Sequence, residues 1–248
     1  MTPTFRPGSL RHQSPATISN LVPMFLLALA YNAKRLKQPG VYVLLAGTLA
    51  LALLMALLER AAGSGAVDRS LTGVCFGGAL PLAIYFLARH LCRGEGLTGS
   101  LWALAKHGAD RRVLALALCS VLVAAGGLFG AILGTGTVLA TRGLADAALL
   151  RDLWASASVG TLAGAAYACA LTLASTFGAR GGGRTAFLLL DWVLGASASA
   201  VALPFPRAHV LNLLGATPPL GLSQASSGLL LVATIFLCLA LAIYRIPR

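Results

Sequence analysis

The chain has 248 residues, 58% of them hydrophobic and only 10% charged, against about 25% charged residues in an average soluble domain. So little polar surface cannot cover a globule in water, which excludes a soluble enzyme or binding module and points to an integral membrane protein. The formal net charge of +12 does not argue for nucleic acid, because the basic residues sit at the ends of apolar runs, where they orient helices.

In chain order, residues 1–19 read as a polar cytoplasmic N-terminus and 20–248 as a single transmembrane domain. LVPMFLLALAYNAKRLKQPG has an apolar core of about ten residues, too short to cross a bilayer. It is followed at once by Lys34, Arg35 and Lys37. A secretory signal cleaved after the ALA at 28–30 is one reading, but a basic cluster just past the cut would oppose translocation. A helix over about 21–37, lying in the inner membrane interface, fits better.

Six apolar spans follow, over about 40–60, 70–92, 113–140, 153–177, 185–204 and 226–244. The third is long enough to tilt, or to break near its glycines. With both termini in the cytoplasm, 14 of the 19 basic residues fall inside; only Arg60, Arg69, Arg142, Arg151 and Arg207 lie outside, in keeping with the positive-inside bias. The predicted fold class is therefore all-α integral membrane, with six transmembrane helices and an N-terminal interfacial helix. The segment FPRAHVLNLLGATPPLGLSQAS, too apolar for a plain solvated loop, reads as a re-entrant or interfacial element before the last span. Its helix should end at Gly215. The pairs Gly73 and Gly77, Gly126 and Gly130, Gly130 and Gly134, and Gly160 and Gly164 each give the small-xxx-small step that lets helix backbones approach in lipid.

Chemistry-bearing residues are few. The five cysteines are scattered without metal-ligand spacing, so no metal site and no disulfide framework is expected. Asp191 is the one acid well inside a predicted span, and such a residue is a candidate for substrate passage or gating by default. Ser197 and Ser199 join it as polar points along that path. The competing reading is structural pairing of Asp191 with Arg180 or Arg184. Gly195-Ala196-Ser197-Ala198 resembles the nucleophile motif of rhomboid intramembrane proteases, but that chemistry needs a histidine base beside the serine. The only histidine downstream is His209, in a predicted outer loop. No catalytic residues are expected, and Gly181-Gly182-Gly183 lacks the Lys-Ser/Thr ending of a phosphate loop.

Residues 93–112 form the longest internal cytoplasmic loop. Thr98 or Ser100 could cap a short helix through LWALAKHG, with Leu101, Leu104 and Ala105 on one side and Gly108 ending it. The loop reads Glu95, then Gly99-Ser100-Leu101, Leu104, Gly108 and Arg111-Arg112. This order, together with the basic interfacial helix, six spans and an apolar element before the last of them, resembles the permease subunit of an ABC transporter of the type-2 exporter class. That family commonly has Pro where Gly108 stands; the importer-type EAA loop is not matched. The resemblance implies a coupling helix in which Glu95, Leu101, Trp102, Leu104, His107 and Arg111 meet a cytoplasmic ATP-binding subunit. It further implies a second permease copy or close relative, ATP and Mg on the partner subunit with no cofactor in this chain, contact with membrane lipid, and a place in the bacterial inner membrane. A lipid-like or amphipathic cargo suits the apolar interior. A secondary transporter or channel, and a membrane assembly or maturation factor, are the alternatives.

Overall fold

The computed structural model describes residues 18–63, 65–106, 108–142 and 147–247; His107 and most of the polar N-terminal segment lie outside them. Among the described residues the chain forms helices and no strand. The helices are α1 (Ile18–Leu36), α2 (Pro39–Ala61), α3 (Ala66–Leu91), α4 (Leu97–Ala105), α5 (Arg111–Arg142), α6 (Leu149–Ala174), α7 (Gly183–Leu194), α8 (Pro206–Leu213) and α9 (Gln224–Tyr244). Five of these, α2, α3, α5, α6 and α9, are long and apolar enough to cross a bilayer. They make the chain an all-α, multi-pass membrane protein.

Local sequence explains several boundaries. Pro39 opens α2 in its first turn, where its missing N–H costs nothing, and Gln38 before it takes the extended backbone that a following proline favours. Asp110 accepts the Arg112 N–H through Oδ1 at 2.7 Å and so caps α5. Within α3, Ser70–Ala79 is π-helical, and the Leu80 N–H bonds to the Cys75 carbonyl five residues back. Pro81 accounts for this widening: its ring would press on the carbonyl four residues earlier and it has no N–H to donate.

Burial separates core from periphery. In α3, α5 and α6, 61%, 56% and 61% of the most apolar window is buried, against 17% in each of α2 and α9. The outer pair turn Val43, Leu54 and Leu58 of α2, and Leu229, Phe236 and Leu237 of α9, away from the protein, as lipid-facing helices do. At the centre α5 and α6 run antiparallel in backbone contact. A methyl group added at Gly130 would lie 2.1 Å from the Gly160 carbonyl oxygen, and one at Gly164 would lie 2.1 Å from that of Gly126. One added at Gly134 would lie 2.8 Å from the Ser156 carbonyl oxygen. The small residues predicted as packing steps on these two helices are therefore one shared seam. Gly73 and Gly77 serve differently: Gly73 faces open space and Gly77 sits in the π-helical stretch. Nor does α5 break at its glycines; it is one helix of 32 residues.

The predicted fifth span, 185–204, is not a continuous helix. Its helical part, α7, has 12 residues, about 18 Å, well short of the roughly 30 Å hydrocarbon core. The reason lies in GASASA: Ser197 and Ser199 share a hydroxyl–hydroxyl bond of 2.8 Å, and the Ser199 N–H donates to the Ser197 hydroxyl. Side chains of this kind compete with helical backbone bonds. The chain then makes a tight turn at Ala200–Ala202, passes extended Phe205 and re-enters helix at Pro206. This excursion closes on itself. A methyl group at Gly195 would lie 2.9 Å from Arg207 Cβ, and the Leu220 N–H bonds to the Ala198 carbonyl at 2.9 Å. Buried His209 is held by the Leu203 carbonyl at 2.8 Å and the Ser227 hydroxyl at 3.3 Å. Asn212 Nδ2 donates to the same hydroxyl and to the Leu222 carbonyl. Past α8, Gly215 takes a positive φ of 83°, so the helix stops just ahead of the position predicted for its end.

Candidate functional site

Several segments meet at one end of the bundle, called here the basic end. Arg35 of α1 donates to the Leu91 and His90 carbonyls, the latter at 2.7 Å, satisfying orphan groups at the C-terminus of α3 where a cation is favoured. Arg93 donates to the Tyr31 hydroxyl, tying the start of the 93–112 loop to α1. Arg245 after α9 donates to the Thr176 hydroxyl at 3.1 Å and lies 4.0 Å over the Phe177 ring.

Between these ties sits α4. Neither Thr98 nor Ser100 caps it. Its N-cap is Gly96, and Ser100 donates instead to the Leu97 carbonyl. The first turn is fastened from below: the Leu97 N–H bonds to the Ser175 carbonyl at 2.9 Å. Arg184, only 3% exposed, donates to the Glu95 carbonyl at 3.0 Å, the Arg180 carbonyl at 3.2 Å and the Ser175 hydroxyl at 3.3 Å. One guanidinium thus joins the start of α4, the end of α6 and the turn before α7. Among the described residues its partners are neutral oxygens, so hydrogen bonds hold its charge.

This fastening decides which side of α4 faces out. Leu97 and Leu101 are buried in the core, Leu104 is half-buried, and Trp102 is 60% exposed with the Lys106 ammonium 5.8 Å from its ring centroid. Glu95 and Thr98 are exposed beside it, and Arg111 is half-buried at the start of α5. Leu101, expected on the partner-facing side, faces the bundle instead, because it lies one helical turn from anchored Leu97. Of the six residues predicted for this surface, Glu95 and Trp102 are the exposed ones, and His107 lies outside the described residues. An apolar cavity of about 490 Å³, lined by Leu27, Tyr31, Leu104 and Leu114 among others, separates α1 from α4.

Asp191 is fully buried, but neither Arg180 nor Arg184 is its partner. Arg184 is seven positions back on the same helix, about 10 Å along its axis, and is engaged at the basic end; Arg180 is exposed. Asp191 instead accepts the Tyr167 hydroxyl at 2.8 Å and the Arg207 backbone N–H at 3.2 Å. The Arg207 side chain donates to the Trp192 carbonyl at 3.0 Å and reaches to 3.5 Å from where a Gly77 methyl would stand, against the π-helical stretch. Among the described residues, Arg207 Nε and the Trp192 indole nitrogen are buried without a hydrogen-bond partner. Gly195 is required here, since a methyl on it would meet Arg207 Cβ and, at 3.3 Å, the Asp191 carboxylate. Ser197 and Ser199 bond to each other rather than to this cluster, and His209 is engaged by Leu203 and Ser227. Among the described residues Ser197 bonds to Ser199 and to no base.

Tyr167, Arg207 and the fastening role of Arg184 are what sequence reasoning missed. Arg207 carried one signal: it is the lone basic residue in the long apolar segment between α7 and α9, next to Pro206. The basic end and the Asp191 cluster thus lie at opposite ends of α7, joined by one 12-residue helix. Compared with known protein families, with curated proteins and with solved structures, the chain matches none.

Proposed function

We propose that this chain is the membrane-spanning permease subunit of an ATP-driven exporter, pairing with a separate cytoplasmic ATP-binding subunit and a second permease copy. On this reading α7 and the excursion after it make the sixth pass, both termini are cytoplasmic, the basic end faces the cytoplasm of a bacterial cell, and ATP and Mg are held by the partner. The observation that carries the reading is α4: a short helix outside the spans, fastened by Arg184 and Leu97, with Trp102 and Glu95 presented outward. A large exposed aromatic on a rigid base is what a partner's cleft can grip. Motion of α4 would reach the membrane interior through Arg184 and α7, which carries Asp191 at its far end. The closed excursion of residues 195–223 would be the re-entrant element near the exit of the path, and the apolar interior suits a lipid-like or amphipathic cargo. Coupling requires only that the partner's contacts with α4 differ between its nucleotide states.

Trp102→Glu tests this. Affinity-purified wild-type chain in mild detergent should carry a soluble ATPase subunit, and the variant should lose at least nine-tenths of it at an unchanged melting temperature. Equal recovery from both would remove the coupling role of α4. The buried Asp191–Tyr167–Arg207 cluster favours one second reading, a transporter or channel gated there without an ATPase. In that case the same purification yields no nucleotide-hydrolysing partner.

A further inference from the structure

The end of α1, the first turn of α2 and the end of α3 enclose a groove of about 1250 Å³. Five cations line it, Lys34, Arg35, Lys37, Arg89 and Arg93, together with His90, and among the described residues no carboxylate does. Two of the cations are committed within the protein: Arg35 to the Leu91 and His90 carbonyls, Arg93 to the Tyr31 hydroxyl. Burial, and next the Arg93 guanidinium, hold Arg35 below its ordinary pKa, the direction expected where like charges gather. Lys34, Lys37 and Arg89 are exposed and, among the described residues, make no side-chain hydrogen bond or ion pair. Packing therefore does not explain why three further cations converge here.

The remaining wall of the groove has the opposite chemistry. Val41, Leu44 and Phe86 line it, and the apolar surface continues outward along α2 through Tyr42 and Val43, which are 58% and 72% exposed. A site with cations on one side and apolar side chains on the other, beside a lipid-facing helix, complements an amphiphile. A free phosphate ion would satisfy the cations but leave the apolar wall and most of the volume unused. Basic pockets between membrane helices bind anionic lipid headgroups for the same reason.

We propose that this groove binds the headgroup of an anionic phospholipid, its phosphate on Lys34, Lys37 and Arg89 and its upper acyl chains against Val41, Leu44 and Phe86. The assignment goes beyond the transport reading and needs no ATPase. A lipid seated there bridges α1, α2 and α3 at the end of the bundle that also carries α4.

The test uses the full-length chain in neutral detergent, titrated with phosphatidylglycerol, phosphatidylcholine or inorganic phosphate while thermal unfolding is followed. Phosphatidylglycerol should raise the melting temperature saturably, and the other two should not. Each cation removed should weaken the apparent affinity about fivefold, so the triple variant K34Q/K37Q/R89Q should bind about 100-fold more weakly. Arg151→Gln, an exposed cation elsewhere, should leave it unchanged. Equal stabilisation by phosphatidylcholine, full reproduction of the effect by inorganic phosphate, or wild-type affinity in the triple variant would each overturn the assignment. Should the triple variant fail to fold, the quenching that Phe86→Trp adds to that of the native tryptophans in vesicles of brominated lipid decides. Stronger quenching by brominated phosphatidylglycerol than by brominated phosphatidylcholine supports the site, and equal quenching overturns it.

Discussion

At Gly130 and Gly160 the α5 and α6 backbones touch so closely that neither position has room for a methyl group. Gly130→Ala must push the two helices apart, and overpacking of this kind costs about 1–3 kcal/mol. Its melting temperature in detergent should therefore fall. Gly47→Ala is the contrast: nothing lies within 4 Å of the added carbon, and alanine is the better helix former by about 1 kcal/mol, so that variant should hold or gain stability. The same scale governs Asp191. Tyr167→Phe removes the donor to its carboxylate, and Asp191→Leu removes the acceptor. The double-mutant cycle should show a coupling of about 0.6–1.7 kcal/mol, the range for hydrogen bonds between membrane helices. A coupling of zero would mean that the 2.8 Å contact contributes nothing to stability.

Among the elements, α4 depends most on a single side chain. Without Arg184, the Glu95 and Arg180 carbonyls lose a charged donor, and hydrogen bonds to charged groups contribute about 1.5–3 kcal/mol each. Arg184→Gln should raise amide hydrogen exchange in 97–105 by about tenfold or more while leaving the α5–α6 seam protected. Equal loosening of both would make Arg184 a global rather than a local fastener. The elements were unevenly legible in the sequence. Five spans were found to within a few residues of Pro39–Ala61, Ala66–Leu91, Arg111–Arg142, Leu149–Ala174 and Gln224–Tyr244, because apolar length is a strong signal. Of the fifth predicted span only α7 is regular helix, because average hydropathy does not register that Gly195, Ser197 and Ser199 favour turns over helix. Still, α7 and the excursion after it lead from the end of α6 to the start of α9 at the opposite end. The orientation of α4 failed at Leu101 for a different reason: which side of a short apolar helix faces inward depends on distant Ser175 and Arg184. Asp191 was visible as a buried acid, but its partner Arg207 becomes adjacent only when the chain folds back after Gly195.

Over the whole molecule, three central helices are buried against one another, two peripheral ones face lipid, and two groups of side-chain polar bonds bear on the proposed function. One is the basic end, where Arg35, Arg93, Arg184 and Arg245 fasten α1, α3, α4, α6 and α9. The other is the cluster at the far end of α7. On the proposed transport reading, the first would be the handle that a soluble motor grips and the second the gate it moves. The measurement that tests it most directly is site-specific photo-crosslinking in native membranes, with a photoreactive amino acid in place of Trp102, and in place of Trp154 as control. Trp154 is 78% exposed on the first part of α6, far from α4. The account predicts a crosslink from position 102 to a nucleotide-binding polypeptide, with a yield that changes between ATP-bound and nucleotide-free membranes, and none from position 154. No such crosslink from position 102, or equal capture from both positions, would contradict it.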